Sequence, residues 1–295
     1  MLSKYSGVVV PMISPFTPAG AIDEPAVGRV VERLLSGGVA GIFPLGTTGE
    51  SASIPSAEKR RIVEATVREV AGRSMVYAGI SSNIISESVI LAHTFADLGV
   101  DALVAHVPSY YALSGDEMEA YFTRLADALR VPLVPLVLYN IPQTTHMNIP
   151  IDVVMRLSKH PNIVAVKDSA NDAERLTELL ARTGGRDGFP VLLGCSAQFS
   201  HGLRAGGVGL IPSGAHLVPL EYQQMFEAAM EKNWTEVDQL QRVTDDACKA
   251  YLAGRSIGQG LAALKAILES QNICGRTMLP PLVDAAAFVP EMQTA

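Results

Sequence analysis

Short apolar runs alternate with amphipathic stretches along most of this chain, and that alternation leaves few folds open. Eight such runs recur, at Gly7 to Pro15, Gly41 to Leu45, Met75 to Ile80, Ala102 to Val107, Leu136 to Tyr139, Ile163 to Lys167, Pro190 to Leu193 and Val208 to Ile211. Between them lie helical patterns. Ser56 to Val70 sets Arg60, Arg61, Glu64 and Arg68 toward water and keeps Ile62, Val63, Ala65, Val67 and Val70 for packing. Helix starts are marked by Ser86 ahead of Glu87, by Ser114 ahead of Glu117 and by Asn171 ahead of Glu174. Runs that are apolar throughout belong to parallel strands covered on both faces. Eight βα units within about 230 residues predict a closed (β/α)8 TIM barrel, with an open doubly wound sheet as the alternative.

Beyond the eighth run, Leu220 to Lys232, Trp234 to Leu252 and Ser256 to Ser270 read as helices, more than a barrel requires. The expected organisation is a barrel over residues 1–232 and a carboxy-terminal helical extension over 233–295, packed on the barrel's surface or against another subunit.

With 295 residues and 48% hydrophobic content, the chain can bury a large core, which excludes a disordered protein. Its 23 basic and 30 acidic residues give a net charge of -7 without a basic run, so no footprint for nucleic acid is present. Three widely spaced cysteines, Cys195, Cys248 and Cys274, form no CxxC and point to a reducing compartment, by default the cytoplasm, without structural zinc. The first run is interrupted by Pro11 and Pro15 and reads as a strand rather than a signal peptide. The uncharged stretch from Val131 to Ile151 is broken by Pro132, Pro135, Pro142 and Pro150, so no transmembrane helix is expected.

Chemistry is concentrated where the runs end. Lys167 closes Ile163-Val164-Ala165-Val166-Lys167, a segment that reads as buried. Burial disfavours the ammonium form and leaves an amine that attacks ketones and aldehydes. The plainer reading is a lysine at a strand end paired with Asp168, its stem packed and its head wet. Gly46-Thr47-Thr48-Gly49-Glu50 follows the second run, a tight turn whose N–H groups suit a carboxylate or phosphate, or a simple strand-to-helix connection. Pro108-Ser109-Tyr110-Tyr111 follows the fourth run, and Tyr139-Asn140-Ile141-Pro142 ends the fifth. A parallel barrel gathers such residues at one face. Together they place a nucleophile, a proton-shuttling phenol and an anion cradle there, the equipment for imine chemistry on a 2-oxo acid.

On these motifs, with the Val166-Lys167-Asp168-Ser169 segment and with Gly194 followed by Gly207 to Ser213, the chain resembles the dihydrodipicolinate synthase and N-acetylneuraminate lyase family of pyruvate-dependent class I aldolases and lyases over nearly its whole length. The resemblance implies a Schiff base between Lys167 and the C2 carbonyl of pyruvate, with no separate cofactor. It implies that Thr48, Gly46 and nearby backbone hold the carboxylate, that Tyr139 moves protons, and that Thr47 links Tyr139 to Tyr111, the second tyrosine reaching into an adjacent subunit. Gly194, Ile211 and Ser213 would complete the substrate site, and a tetramer of two dimers would be the assembly.

Two departures bear on the substrate. The arginine that recognises the carboxylate of aspartate semialdehyde in dihydrodipicolinate synthases corresponds here to Thr144, which cannot give bidentate charged recognition. Sialate lyases carry GSTGE and an acidic pair after the seventh strand, where this chain has GTTGE and Gly194-Cys195-Ser196-Ala197-Gln198. The expected distal wall is uncharged and polar, built from Thr144, Thr145, His146, Ser196, Ser213 and His216. It suits a hydroxylated aldehyde, as in 2-keto-3-deoxy sugar acid aldolases. Dihydrodipicolinate synthase activity and a non-catalytic 2-oxo-acid-binding barrel are the alternatives. His93, His106, His160 and His201 show no metal-ligand spacing. Asn83 and Glu87 fall where some relatives bind lysine, but Ser56 and Lys59 replace the histidines common there, so lysine inhibition is not expected.

Overall fold

A computed structural model of the protein describes residues 3–131 and 134–287; Pro132, Leu133 and the end of the expected carboxy-terminal extension lie outside the described residues. Eight strands are present: β1 (Gly7–Pro11), β2 (Gly41–Phe43), β3 (Met75–Gly79), β4 (Ala102–His106), β5 (Leu136–Asn140), β6 (Ile163–Asp168), β7 (Val191–Leu193) and β8 (Gly209–Leu210). All pair in parallel and in chain order, and β8 returns to β1 through Gly7 and Gly209, closing a TIM barrel as the alternation predicts. The open sheet is thereby excluded.

Helices fill the outer layer: α1 (Glu24–Ser36), α2 (Ser56–Val70), α3 (Ile85–Asp97), α4 (Gly115–Ala128), α5 (Pro142–Thr145), α6 (Ile151–Leu157), α7 (Ala173–Thr183) and α8 (Phe199–Arg204). Then come α9 (Pro219–Met230), α10 (Trp234–Leu252) and α11 (Ile257–Ser270), with α10 packed on α8 and α9 and α11 packed on α10. Among the described residues no helix is long and apolar enough to cross a membrane.

Several boundaries move. The first strand stops at Pro11 rather than Pro15, because after Met12 bonds to the Phe43 carbonyl the chain leaves the sheet and turns back at the Phe16–Ile22 bridge. Ser114 caps α4 with Glu117 in a reciprocal capping box, as the spacing predicts. Ser86 caps nothing: α3 starts from Ile84, and Ser82 bonds both the Ile84 N–H and the Glu87 carboxylate. Asp172, not Asn171, caps α7 by accepting from the Arg175 N–H. Ser256 lies just outside α11, where it forms a second capping box with Gln259.

The strands divide the core into two layers. Leu103, Ala105, Leu136, Leu138 and Val166 pack outward under the helices, while Val9, Phe43, Tyr77, Val104, Val137, Ala165 and Leu192 fill the barrel. Side chains alternate faces along a strand, so this partition is a counting rule. β6 breaks the count: its register skips from Ile163, opposite Leu136, to Ala165, opposite Val137, leaving Val164 unpaired as a bulge. Without that extra residue Lys167 would share the outward face of Ile163; with it, Lys167 stands opposite Tyr139 on the inward face.

A buried ion pair ties the end of the chain to the barrel. The Lys265 ammonium of α11 bonds the Glu50 carboxylate and the Thr277 carbonyl and lies 4.3 Å from the Phe16 ring centre, while Glu50 also accepts from the Leu279 N–H at 3.0 Å. Both side chains are fully buried. Removing one partner strands a charge in a low dielectric, which costs about 3–5 kcal/mol, whereas replacing both is often neutral. Lys265→Met should therefore lower unfolding free energy in urea by about that much, and Lys265→Met with Glu50→Gln should recover most of it. A single variant within about 1 kcal/mol of the parent would refute the assignment.

Candidate functional site

Lys167 is 3% exposed, and among the described residues its ammonium makes no ion pair and no hydrogen bond. Its Nζ lies 3.9 Å from the Tyr139 ring centre and 5.3 Å from that of Phe43. The plainer reading of the sequence, a pair with Asp168, fails because Asp168 faces the opposite side of β6. There it bonds Arg175 of α7 at 3.1 Å, Asn140 at 3.0 Å and the Ala170 N–H at 2.9 Å. Burial raises the Asp168 carboxyl and the Arg175 charge opposes that shift. Asn140 also holds Asn148 and the Ile149 N–H, so the two strands beneath Lys167 and Tyr139 are braced from outside.

Space for the lysine stem comes from Gly194 at the end of β7. A side chain there would begin 2.0 Å from the Ser169 hydroxyl and 3.0 Å from Lys167 Cε, so only glycine leaves the route open.

The turn between β2 and α2 folds tightly over the barrel mouth. Leu45 and Glu50 both adopt positive φ, at 61° and 56°, and Gly79 of β3 makes room, since a side chain there would meet the Leu45 carbonyl at 2.0 Å. The N–H groups of Gly49 and Glu50 close back onto Gly46 and Thr47, and the Ser14 hydroxyl donates to the Gly49 carbonyl. Among the described residues the Thr47 and Thr48 N–H groups have no partner, which leaves two adjacent donors suited to a carboxylate. The Thr47 hydroxyl lies 3.5 Å from the Tyr139 hydroxyl.

Tyr111, expected to follow Thr47 in a relay, is 72% exposed and packs edge-to-face on the equally exposed Tyr110, ring centres 5.1 Å apart. The loop carrying them is positioned by Asn83, whose side-chain oxygen accepts from the Ser109 and Tyr110 N–H groups. Asn83 thus supports the tyrosines, a role its place in the sequence does not reveal.

A cleft of about 450 Å³ opens beside the Lys167 and Tyr139 pair, reached by Thr47 and His106 but not lined by Lys167 or Tyr139. Thr47, His106, Ser109, Thr144 and Thr145 line one side, and Ile257, Leu261 and Leu282 line the other. Thr144 and Thr145 sit where expected, with their hydroxyls turned to the Ile141 carbonyl. The remaining residues of the expected distal wall do not line this cleft. His146 is exposed at the left-handed end of α5. Ser196 belongs to a 3-10 turn whose carbonyl receives Gln241. Ser213 shares its hydroxyl with Tyr251 of α10 at 2.7 Å, and Ile211 is buried at the end of β8 on the barrel's inner side.

His216 is a structural residue and not part of the wall. Its Nε2 accepts from the Ile13 N–H at 3.1 Å, so Nδ1 must carry the proton it shares with the Ser213 carbonyl. The opposite correction applies to His106, at first a histidine without ligand spacing. It is the last residue of β4, in register with Tyr139, which is in register with Lys167. The three side chains form one inward row at the carboxy-terminal rim. Counting forward by twos from the inward residues Ala102 and Val104 would have found it. Ile257, Leu261 and Leu282 carry no chemistry-bearing group and left no signal to find.

A buried lysine, a facing tyrosine and an open pair of amides at the carboxy-terminal rim of a (β/α)8 barrel define the class of Schiff-base aldolases and lyases. Comparison with known proteins narrows this: residues 4–288 match the dihydrodipicolinate synthetase family, to which the chain belongs. It is 32% identical to a 4-hydroxy-tetrahydrodipicolinate synthase of Phenylobacterium zucineum over 289 residues, 96% of this chain and 92% of the relative. Among solved structures, the dihydrodipicolinate synthase of Bacteroides thetaiotaomicron superposes with a TM-score of 0.88 at 30% identity, covering 95% of this chain and 93% of the other. CdNal from Clostridium difficile, solved with mannosamine, superposes equally well, at 0.88, over 98% of this chain and 96% of the other, but at 24% identity the likeness is one of fold. The protein is accordingly a class I, pyruvate-dependent aldolase of this family.

The His216 geometry sets an acid limit on stability. Burial brings the ring from 6.5 down to about 4, against the pull of the Ser213 carbonyl. The unfolded chain therefore takes up the proton first as pH falls. The stability present above pH 6.5 is lost between 6.5 and about 4, a decrease on the order of 3 kcal/mol from this group. Urea unfolding across that range should show a shallower pH slope for His216→Gln than for the parent; equal slopes would remove His216 from the account.

Proposed function

We propose that the protein joins pyruvate to, or releases it from, a hydroxylated aldehyde, as in the cleavage of 2-keto-3-deoxy sugar acids. In the cleavage direction Lys167 Nζ attacks the C2 carbonyl of the 2-oxo acid and water leaves. As the C4 hydroxyl gives up its proton, the protonated imine accepts the electron pair of the breaking C3–C4 bond and the aldehyde departs. The remaining enamine is protonated at C3 and hydrolysed to pyruvate, the condensation running through the same steps in reverse. The imine is itself the electron sink, so the reaction needs no further cofactor. The free amides at Thr47 and Thr48, with the neighbouring Gly46 and the Thr48 side chain, suit the pyruvate carboxylate. Tyr139, against Lys167 and within reach of Thr47, is placed to carry protons between the substrate oxygen and the relay. Exposed Tyr110, Tyr111 and Ile84 on one side of the barrel support a site completed by Tyr111 of a second subunit, in a dimer or a tetramer of two dimers. The three free cysteines fit a cytoplasmic enzyme.

The observation that carries the choice of aldehyde is the cleft lining. Among the described residues it contains no lysine and no arginine, and its one carboxylate, Glu50, is tied to Lys265. Hydroxyls at Thr47, Ser51, Ser53, Ser109 and Thr144 dominate its polar groups. A second carboxylate would be desolvated there without a counter-charge, whereas hydroxyls find partners. The names of the relatives favour the competing reaction, condensation of pyruvate with aspartate semialdehyde.

Treatment with pyruvate and sodium borohydride, followed by intact mass and peptide mapping, should give a reduced adduct on Lys167. Its absence would overturn the imine and leave a non-catalytic barrel. Condensation assays should show a higher kcat/KM with glyceraldehyde than with aspartate semialdehyde, and the reverse order would establish the synthase reaction. Thr144→Arg should move the ratio toward the semialdehyde by about ten- to a hundredfold, the range of a charge-assisted hydrogen bond. An unmoved ratio would show that position 144 does not discriminate.

A further inference from the structure

His106 is the one side chain of the inward row for which the imine chemistry gives no use. Its Nδ1 lies 2.7 Å from the Val107 carbonyl. A carbonyl oxygen can only accept, so Nδ1 carries the proton and Nε2 of the neutral ring is a bare lone pair. Among the described residues Nε2 has no hydrogen-bond partner, although the ring lines the cleft. The ring cannot swing away freely. The His106 backbone N–H donates to the Ser81 hydroxyl at 2.9 Å, and the edge of the ring meets the Tyr139 ring at 67°, centres 6.3 Å apart. Burial holds the imidazole below the ordinary histidine range, and the Lys167 charge pushes the same way against the Val107 carbonyl. The cleft therefore meets an acceptor here, not a cation.

We propose that His106 is a specificity-determining residue of this site, its Nε2 accepting a hydrogen bond from a hydroxyl group carried by the aldehyde partner. The position follows from the register: His106 and Lys167 flank Tyr139 on adjacent strands, so a substrate held as an imine at Lys167 and served by Tyr139 extends toward His106. A donor hydroxyl completes the lone pair. A carboxylate, which offers only acceptors, faces it unfavourably, and an aldehyde without a hydroxyl leaves it unpaired, which costs a factor of ten or more in discrimination. This deepens the hydroxyaldehyde reading and rests on it.

The test compares glyceraldehyde with propanal, which has the same carbon chain and no hydroxyls, as partners for pyruvate. The parent enzyme should favour glyceraldehyde at least tenfold in kcat/KM. His106→Leu should collapse that ratio to within threefold of unity. His106→Gln, which can place an amide oxygen close to the position of Nε2, should keep most of it. A ratio taken within one preparation does not depend on the fraction folded, so a partly unfolded variant still reports. A preference that survives in His106→Leu, or a loss shared equally by both aldehydes, would overturn the proposal. Borohydride trapping of pyruvate on the unsubstituted enzyme reports on the imine separately: if trapping succeeds and the ratio does not respond to position 106, this inference alone falls.

Discussion

One unpaired residue decides which way the reactive lysine points. Strand geometry has a period of two, so every inward side chain of β6 is fixed by the count from its first residue, and Val164 adds one to that count. The bulge sends Lys167 to the inside and Asp168 to the outside, where Arg175 and Asn140 are waiting. The same step explains how a lysine and an aspartate adjacent in sequence avoid pairing, which would quench the amine. Placing the bulge near the beginning of the strand leaves four regular pairs after it, with Lys167 in the third, so the lysine's own position is rigid.

What was legible from the amino-acid sequence was local or periodic. The eight strands are visible because parallel strands covered on both faces are apolar throughout, and their misjudged ends are places where hydrogen bonding continues after the regular ladder stops, as at Val208 and Ile211. Lys167 and Tyr139 stand out as polar groups ending apolar runs, and the glycines of the Thr47 turn announce a tight bend. Long-range pairings could not be seen. Glu50 meets Lys265 across most of the chain, and Asn83 meets the tyrosine loop from a neighbouring βα unit. His216 and His106 were exchanged in importance because a histidine's role depends on what its two nitrogens meet. The Ile13 amide consumes one ring, and the Val107 carbonyl leaves the other half free.

The site divides into a floor and a wall of different origin. The floor, Lys167, Tyr139, His106 and the Thr47 turn, belongs to barrel strands and their first connections. The opposite wall comes from α11 and the segment that follows it, none of it part of any βα unit. Common chemistry with varied aldehydes is what this division permits, because residues of the wall can change without disturbing the strand register that aims the lysine.

Glu50 and Lys265 give this division an order in time. Every strand precedes α11 in the chain, so the barrel can close on a nascent polypeptide while the Glu50 carboxylate still faces water. Only when Lys265 arrives is that charge sealed, and the same event brings Leu282 to the edge of the cleft. Were folding to follow that order, the lysine of β6 would be housed before the chamber above it is walled, and a molecule caught between those two moments would hold its reactive amine beneath an unroofed mouth.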